Sequence, residues 1–247
     1  MSGHSKWATI KRKKGSIDAK RGKVFTKLVR EVTTAARLGG ADVNGNPRLR
    51  AAITTAKNAS MPADNIERAI KKGSGAADGP PVEDTYYEGY GPGGVAVFVE
   101  AQTDNKNRTT SEVRATFAKL GGNLGTAGSV GYLFDRRGQF VVEGASEEAV
   151  MDVVLEAGAE DVRAEGEAVL VECAHRLFAP VLDALEASAL RVSSAELTMV
   201  AQNQVRVAGN DAEKVLRLVE RLEDLDDVQK VHANFDIDEA ELERLTQ

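Results

Sequence analysis

The chain has one cysteine among 247 residues, so no internal disulfide can form, which fits a reducing compartment. That residue, Cys173, ends the run Val169-Leu170-Val171-Glu172-Cys173, where a buried structural thiol in a strand is expected. Only three histidines are present; His4, His175 and His232 have no His or Cys neighbour at metal-ligand spacing, and no metal is expected. No stretch approaches eighteen consecutive apolar residues, which argues against a membrane-spanning helix. The first residues carry Lys and Arg without an apolar core behind them, unlike a secretory leader, and have too little Ser and Leu for a transit peptide. A cytoplasmic protein without a membrane partner is expected.

What the chain does have is charge, unevenly placed. Residues 1–72 hold 17 Lys and Arg against 5 Asp and Glu, a net of +12, while residues 73–247 hold 15 against 33, a net of −18. The overall −6 hides a basic head on an acidic body. Lys6, Lys11, Arg12, Lys13, Lys14, Lys20, Arg21, Lys23, Lys27 and Arg30 lie in the first thirty residues with Asp18 as their only acid. Such a density repels itself unless a polyanion neutralises it, and phosphate backbones are the usual one.

Periodicity divides the chain. Residues 1–15 are polar and aperiodic apart from Trp7 and Ile10, and read as a basic arm. Phe25, Leu28, Val29, Val32 and Ala36 recur on one helical face, with Gly39-Gly40 as the stop. Asn46-Pro47 opens a second helix and Pro62 a third, giving a three-helix bundle over 16–73. The Gly/Pro-rich stretch 74–85 reads as a linker. Beyond it, a strand over 95–101, a helix over 109–120 opened by the capping box Thr109-x-x-Glu112, and strands over 130–135 and 139–142 are expected. Helices over 147–156, 176–187 and 211–222 (the last capped by Asn210) alternate with strands near 161–163, 168–173, 195–200, 204–207 and 228–235. Residues 138–200 then spell the ferredoxin-like order strand-helix-strand-strand-helix-strand. The flanking segments 86–137 and 201–247, each strand-helix-strand, complete a second such domain that the first interrupts. The expected fold is α+β and multidomain, a helical head with two ferredoxin-like domains, one inserted in the other.

Enzyme motifs are missing. Gly89-Tyr90-Gly91-Pro92-Gly93-Gly94 precedes a strand, whereas phosphate loops require the order strand, glycines, helix. Glycines 122, 125, 128 and 131 serve no helix, and no Gly-x-Ser-x-Gly occurs. A non-enzyme without cofactors is expected. The binding candidates are the basic cluster, Tyr86, Tyr87 and Tyr90 beside the Gly-rich turn, and Lys106 and Arg108 in an otherwise acidic setting. The tyrosines suit either base stacking or a structural seal. Arg137-Gly138-Gln139-Phe140-Val141 is weakly similar to an RNA-recognition signature but lacks its other aromatics.

Several blocks together resemble the YebC/PmpR family, also called TACO-type. They are Ser2-Gly3-His4-Ser5-Lys6-Trp7 through Lys14, Phe25-Thr26-Lys27-Leu28, the stretch from Met61-Pro62 to Ile70, the stretch from Tyr87 to Gly94, Asp104-Asn105-Lys106-Asn107-Arg108-Thr109, and Gly121-Gly122-Asn123-Leu124-Gly125. The resemblance covers nearly the whole chain; Ala201 stands where many relatives carry Pro. It implies a three-helix N-terminal domain with two α+β domains. It also implies either a DNA-binding transcriptional regulator or a translation factor that binds the ribosome and relieves stalling at proline runs. The chemistry leans slightly to RNA, because the head shows no ordered array of base-reading side chains. The expected partner is promoter DNA or ribosomal RNA and the ribosome, met by a monomer. The alternative is a protein–protein adaptor using the free sheet faces.

Overall fold

The computed structural model describes residues 17–75 and 82–246, which fall into two compact units. The arm with Lys6, Trp7, Lys11, Arg12, Lys13 and Lys14 lies outside the described residues.

One unit comprises residues 24–75 and 136–199. Its helices α1 (Ile17–Gly39, which begins before the unit), α2 (Pro47–Asn58) and α3 (Ala63–Ser74) pack through Val32, Ala35, Leu49, Ala56, Ile66 and Ala69. Asn46 fastens the first connection. Its Oδ1 accepts from the Leu49 N–H at 3.0 Å as an N-cap, and its Nδ2 donates to the carbonyls of Ala35 and Gly40, both at 2.8 Å. The α+β part has strands β4 (Phe134–Glu143), β5 (Ala159–Glu165), β6 (Ala168–Ala174) and β7 (Arg191–Ala201) in the order β5-β6-β4-β7. This is the ferredoxin-like order, with α5 (Glu147–Val154) and α6 (Phe178–Ala187) against a core of Phe140, Val142, Val171, Val181, Leu182 and Leu185. Helix α2 seats Ala51 in that core, and Asn58 Nδ2 donates to the carbonyls of Val192 and Ser193 at 3.0 and 2.8 Å.

The other unit comprises 17–23, 82–135 and 200–246 within the described residues. Strands β1 (Glu83–Tyr90), β2 (Ala96–Thr103), β3 (Asn123–Leu124) and β9 (Val228–Ala233) form an antiparallel sheet in the order β3-β1-β2-β9. Helices α4 (Lys106–Lys119) and α7 (Gly209–Glu223) cover one face, packing Val113, Phe117, Leu218 and Leu222 on Val97, Val99 and Val231. Beyond it lie the short parallel pair β8 (Val205–Arg206) and β10 (Phe235–Asp236), and the helix α8 (Glu239–Thr246).

Several elements depart from expectation. The linker reading, which ran to residue 85, gives way at Glu83 to strand β1, which carries the three neighbouring tyrosines. The expected strands over 130–135 and 139–142 are a 3-10 turn at Gly131–Leu133 and the single strand β4. The segment around 204–207 does not enter the large sheet. Strand β1 lies between β3 and β2 in that sheet, and β8 pairs with β10. The capping box at Thr109 is unused, because Asn105 caps α4 three residues into its Arg108 N–H at 3.1 Å. Helix α7 lacks a side-chain cap from Asn210; Glu241 Oε1 instead accepts from the Gly209 N–H at 2.6 Å. The Gly89–Gly94 stretch is a hairpin corner. Gly94 sits at φ +77°, and a Cβ on Gly89 would stand 2.6 Å from the Asn123 carbonyl, so close strand contact demands glycine there.

Candidate nucleic-acid interface

Helix α1 separates its residues by period. Phe25, Leu28, Val29, Val32 and Ala36 turn toward the bundle, while positions 23, 27 and 30 recur at helical spacing on the opposite face. Lys23, Lys27 and Arg30 therefore share one stripe, while the side chains of Lys20 and Arg21 lie outside what the structure describes. Lys23 is exposed, with Nζ 3.5 Å from Asp224 Oδ1, and Lys27 and Arg30 are half-buried. An exposed pair of this kind contributes under about 1 kcal/mol and yields readily to a phosphate.

The other head cations divide by residue type. Arg48 makes a two-pronged pair with Glu31, Nε to Oε1 at 2.7 Å and Nη2 to Oε2 at 2.9 Å. Arg50 reaches Asp183 at 2.8 Å, and Arg68 bonds the Asp64 carbonyl at 3.1 Å and the Asn65 side chain. The lysines behave otherwise. Lys57, Lys71 and Lys72 are exposed, and no ion pair or hydrogen bond engages their ammonium groups among the described residues. Lys71 and Lys72 lie in the last turn of α3, and their exposure makes them candidate phosphate contacts.

Lys106 and Arg108 are held by the protein itself. Lys106 Nζ lies 2.7 Å from Glu83 Oε2, which raises its pKa. Arg108 Nη2 donates to Asp227 Oδ2 at 2.7 Å and to Asp104 Oδ1 at 3.0 Å, and these partners raise its pKa in that order. Asp227 is the centre of a buried network that sequence reasoning missed. Its Oδ2 also accepts from the hydroxyls of Thr109 at 2.7 Å and Thr103 at 3.2 Å. These bonds tie the entry of α4 to the start of β9, so the block from Asp104 to Thr109 has a structural duty.

The tyrosines separate by strand alternation. Tyr87 faces α4, buried at 9% exposure, and its hydroxyl accepts from Thr110 Oγ1 at 3.2 Å, which withdraws its ring from stacking. Tyr86 and Tyr90 face the other way, half-exposed, and are joined by Tyr132, the fourth tyrosine, which sequence reasoning passed over. Between Tyr86 and Tyr90, the buried Glu88 accepts backbone N–H bonds from Gly128 at 2.8 Å, Val130 at 2.8 Å and Gly131 at 2.6 Å. Burial alone would raise the pKa of Glu88, but the three donors outweigh it and hold the carboxyl below its ordinary 4.5.

In the inserted sheet, Phe140 of the weak RNA-recognition signature is fully buried and stacks on Phe178 at 5.0 Å, so it offers no open ring. Cys173 is buried and its thiol is pushed up to about 11, first by burial and then by Glu160. Among the described residues no group of His, Cys, Asp and Glu gathers as a metal site, and no helix is long and apolar enough to cross a membrane. His232 spends its Nε2 on Glu100 at 2.6 Å.

The described residues form a mixed α+β fold with an N-terminal helical region, and the sequence concentrates its cations in that head. The comparisons make this specific. The family model for the TACO1/YebC protein N-terminal domain matches residues 5–76, and that for the TACO1/YebC second and third domain matches 82–235. The chain belongs to the TACO1/YebC family. It is 55% identical over 246 residues, 99% of its length and all of the relative's, to a probable transcriptional regulatory protein of Geobacter sulfurreducens. Another probable transcriptional regulatory protein, of Syntrophus aciditrophicus, is 54% identical over the full length of both chains. The crystal structure of a conserved hypothetical protein from Aquifex aeolicus matches with a TM-score of 0.84 at 48% identity, covering 91% of this chain and 93% of that one.

Proposed function

We propose that this protein is a non-enzymatic regulator of gene expression that binds nucleic acid through its basic head and arm. The carrying observation is the charge partition, +12 over residues 1–72 against −18 over the rest. The lysines at 57, 71 and 72, the α1 cations Lys20, Arg21, Lys23, Lys27 and Arg30, and Lys6 and Lys11 to Lys14 of the arm supply the phosphate contacts, with Trp7 a stacking ring. The relatives' name, probable transcriptional regulatory protein, supports the regulatory role.

The division between arginines and lysines favours folded RNA, such as ribosomal RNA, over a promoter. Arginine reads guanine in the major groove with two parallel bonds, whereas lysine is a point charge suited to phosphate. Arg48, Arg50 and Arg68 already spend their guanidinium groups on protein partners, which leaves Lys57, Lys71 and Lys72 as the cations that α2 and α3 offer. A promoter regulator must discriminate by roughly 10³-fold or more, which point charges do not supply; a folded RNA supplies shape instead. A salt titration of binding tests the reading. Each phosphate contact removed in a Lys57/Lys71/Lys72→Ala or a Lys11/Arg12/Lys13/Lys14→Ala variant flattens the slope of log K against log[salt] by about 0.9 on duplex DNA or about 0.7 on single strands. Slopes and affinities unchanged in both variants refute it.

A further inference from the structure

The second unit carries an exposed tyrosine surface with chemistry opposite to that of the head. Strand alternation sets Asp84, Tyr86, Glu88 and Tyr90 of β1 on the sheet face turned away from α4 and α7. In register beside them stand Phe98 and Glu100 of β2, with the Tyr86 and Phe98 ring centroids 5.5 Å apart. The Glu88 carboxylate, by gathering the N–H groups of Gly128, Val130 and Gly131, draws the 128–131 turn across this face. The Tyr90 hydroxyl donates to the Ser129 carbonyl at 3.0 Å, which leaves Tyr90 and Tyr132 as neighbours. Tyr86, Tyr90 and Tyr132 keep 50%, 39% and 66% of their surfaces exposed, yet Tyr90 is tied to the fold by its hydroxyl and Tyr132 follows directly on the turn that Glu88 holds. Rings presented on an ordered frame bind with little further loss of entropy.

The charges around them choose the occupant. Asp84, Glu88 and Glu100 face this side from β1 and β2, against Lys230 and His232 from β9, the latter hydrogen-bonded to Glu100. Residues 82–135 and 200–247 together hold 10 Lys and Arg against 19 Asp and Glu, a net of −9. A nucleic-acid strand laid here would bring phosphates toward carboxylates, whereas a guanidinium or ammonium finds both a ring face and an opposite charge.

We infer that the surface around Tyr86, Tyr90 and Tyr132 docks a basic polypeptide segment, with Arg or Lys side chains laid over the tyrosine rings. The inference goes beyond the nucleic-acid role of the head and rests on different residues, so the two roles can be tested separately.

The test uses the full-length chain and two dye-labelled probes followed by anisotropy, a peptide of four Arg-Gly-Gly repeats and a uridine oligonucleotide. A Tyr86→Ala/Tyr132→Ala variant weakens peptide binding by about three-fold or more for each ring removed, while the corresponding Phe variant stays within roughly two-fold because the ring faces survive. Oligonucleotide affinity is the same in all three proteins. Peptide binding that the Ala variant leaves unchanged overturns the inference. So does oligonucleotide binding that falls with the tyrosines, which would make the face a base-stacking platform. Should the Ala variant misfold, amide exchange of the wild-type chain decides. Peptide-induced protection over 84–90 and 128–132 supports docking, and protection elsewhere or none contradicts it. Loss of oligonucleotide binding in the lysine variants, with peptide binding retained, separates the two roles.

Discussion

Replacing Glu88 with glutamine changes one oxygen for one NH2 group and little else in volume, so its effect isolates the carboxylate. In the native chain Oε1 takes the Gly128 N–H, and Oε2 takes those of Val130 and Gly131. A glutamine oxygen placed at Oε2 keeps two of these bonds, but its amide nitrogen then meets the Gly128 N–H donor to donor. One charge-assisted bond is lost and one donor is left opposed, a cost of about 2 kcal/mol, while alanine removes all three acceptors at about 4 kcal/mol. Because the chain has two compact units, a global unfolding midpoint dilutes the effect, and residue-resolved amide exchange measures it directly. The Glu88→Gln amides at 128, 130 and 131 should exchange roughly 30-fold faster than in the wild type, tenfold being about 1.4 kcal/mol. The pH dependence carries the sign. A carboxyl whose folded pKa is depressed contributes stability that is present above its unfolded value near 4.5 and is lost as pH falls through the folded value. Wild-type protection of the turn should therefore persist below 4.5 and then collapse, whereas the Gln variant should show no such step. Equal protection in the two proteins, or the same acid step in both, would show that the carboxylate does not hold the turn.

Two further outcomes follow from close contacts. A Cβ on Gly73 would sit 2.3 Å from the Thr33 carbonyl oxygen, so Gly73→Ala should force α3 away from α1 and destabilise the head by about 1–3 kcal/mol, read as lost protection of the α3 amides. Asp227→Ala removes the buried acceptor shared by Arg108 and the Thr103 and Thr109 hydroxyls, and should cost about 1–3 kcal/mol in denaturant unfolding of its unit, with Arg108 keeping Asp104.

What was legible in the sequence followed local rules. The Asn46-Pro47 helix start, the apolar stripe of α1 and the strand-helix order of the inserted sheet each depend on neighbours within a few residues, and all three are found as read. Strand β1 escaped because its outward positions carry Asp84, Tyr86, Glu88 and Tyr90, while its inward positions carry only Thr85, Tyr87 and Gly89, which leaves no alternation of apolar residues to detect. Thr109 offered a capping box on paper, but its hydroxyl is claimed by Asp227, 118 residues away, a partner that spacing cannot foretell. The same distance hid the duties of Lys106 and Arg108, which stood out as lone cations only because Glu83 and Asp227 approach them through the fold. Tyr132 was missed for the converse reason: its neighbour Tyr90 is reached through Glu88 and the 128–131 turn rather than along the chain.

The account stands on the claim that the basic head and arm engage RNA. Ultraviolet crosslinking in cells, followed by capture of the full-length protein, sequencing of the attached nucleic acid and mass spectrometry of the crosslinked peptides, tests it most directly. The predicted result is ribosomal RNA fragments joined to peptides from residues 1–75. Discrete promoter DNA sites whose binding in vitro survives excess competitor DNA, or crosslinks confined to the acidic α+β segments 82–135 and 200–246, would contradict it.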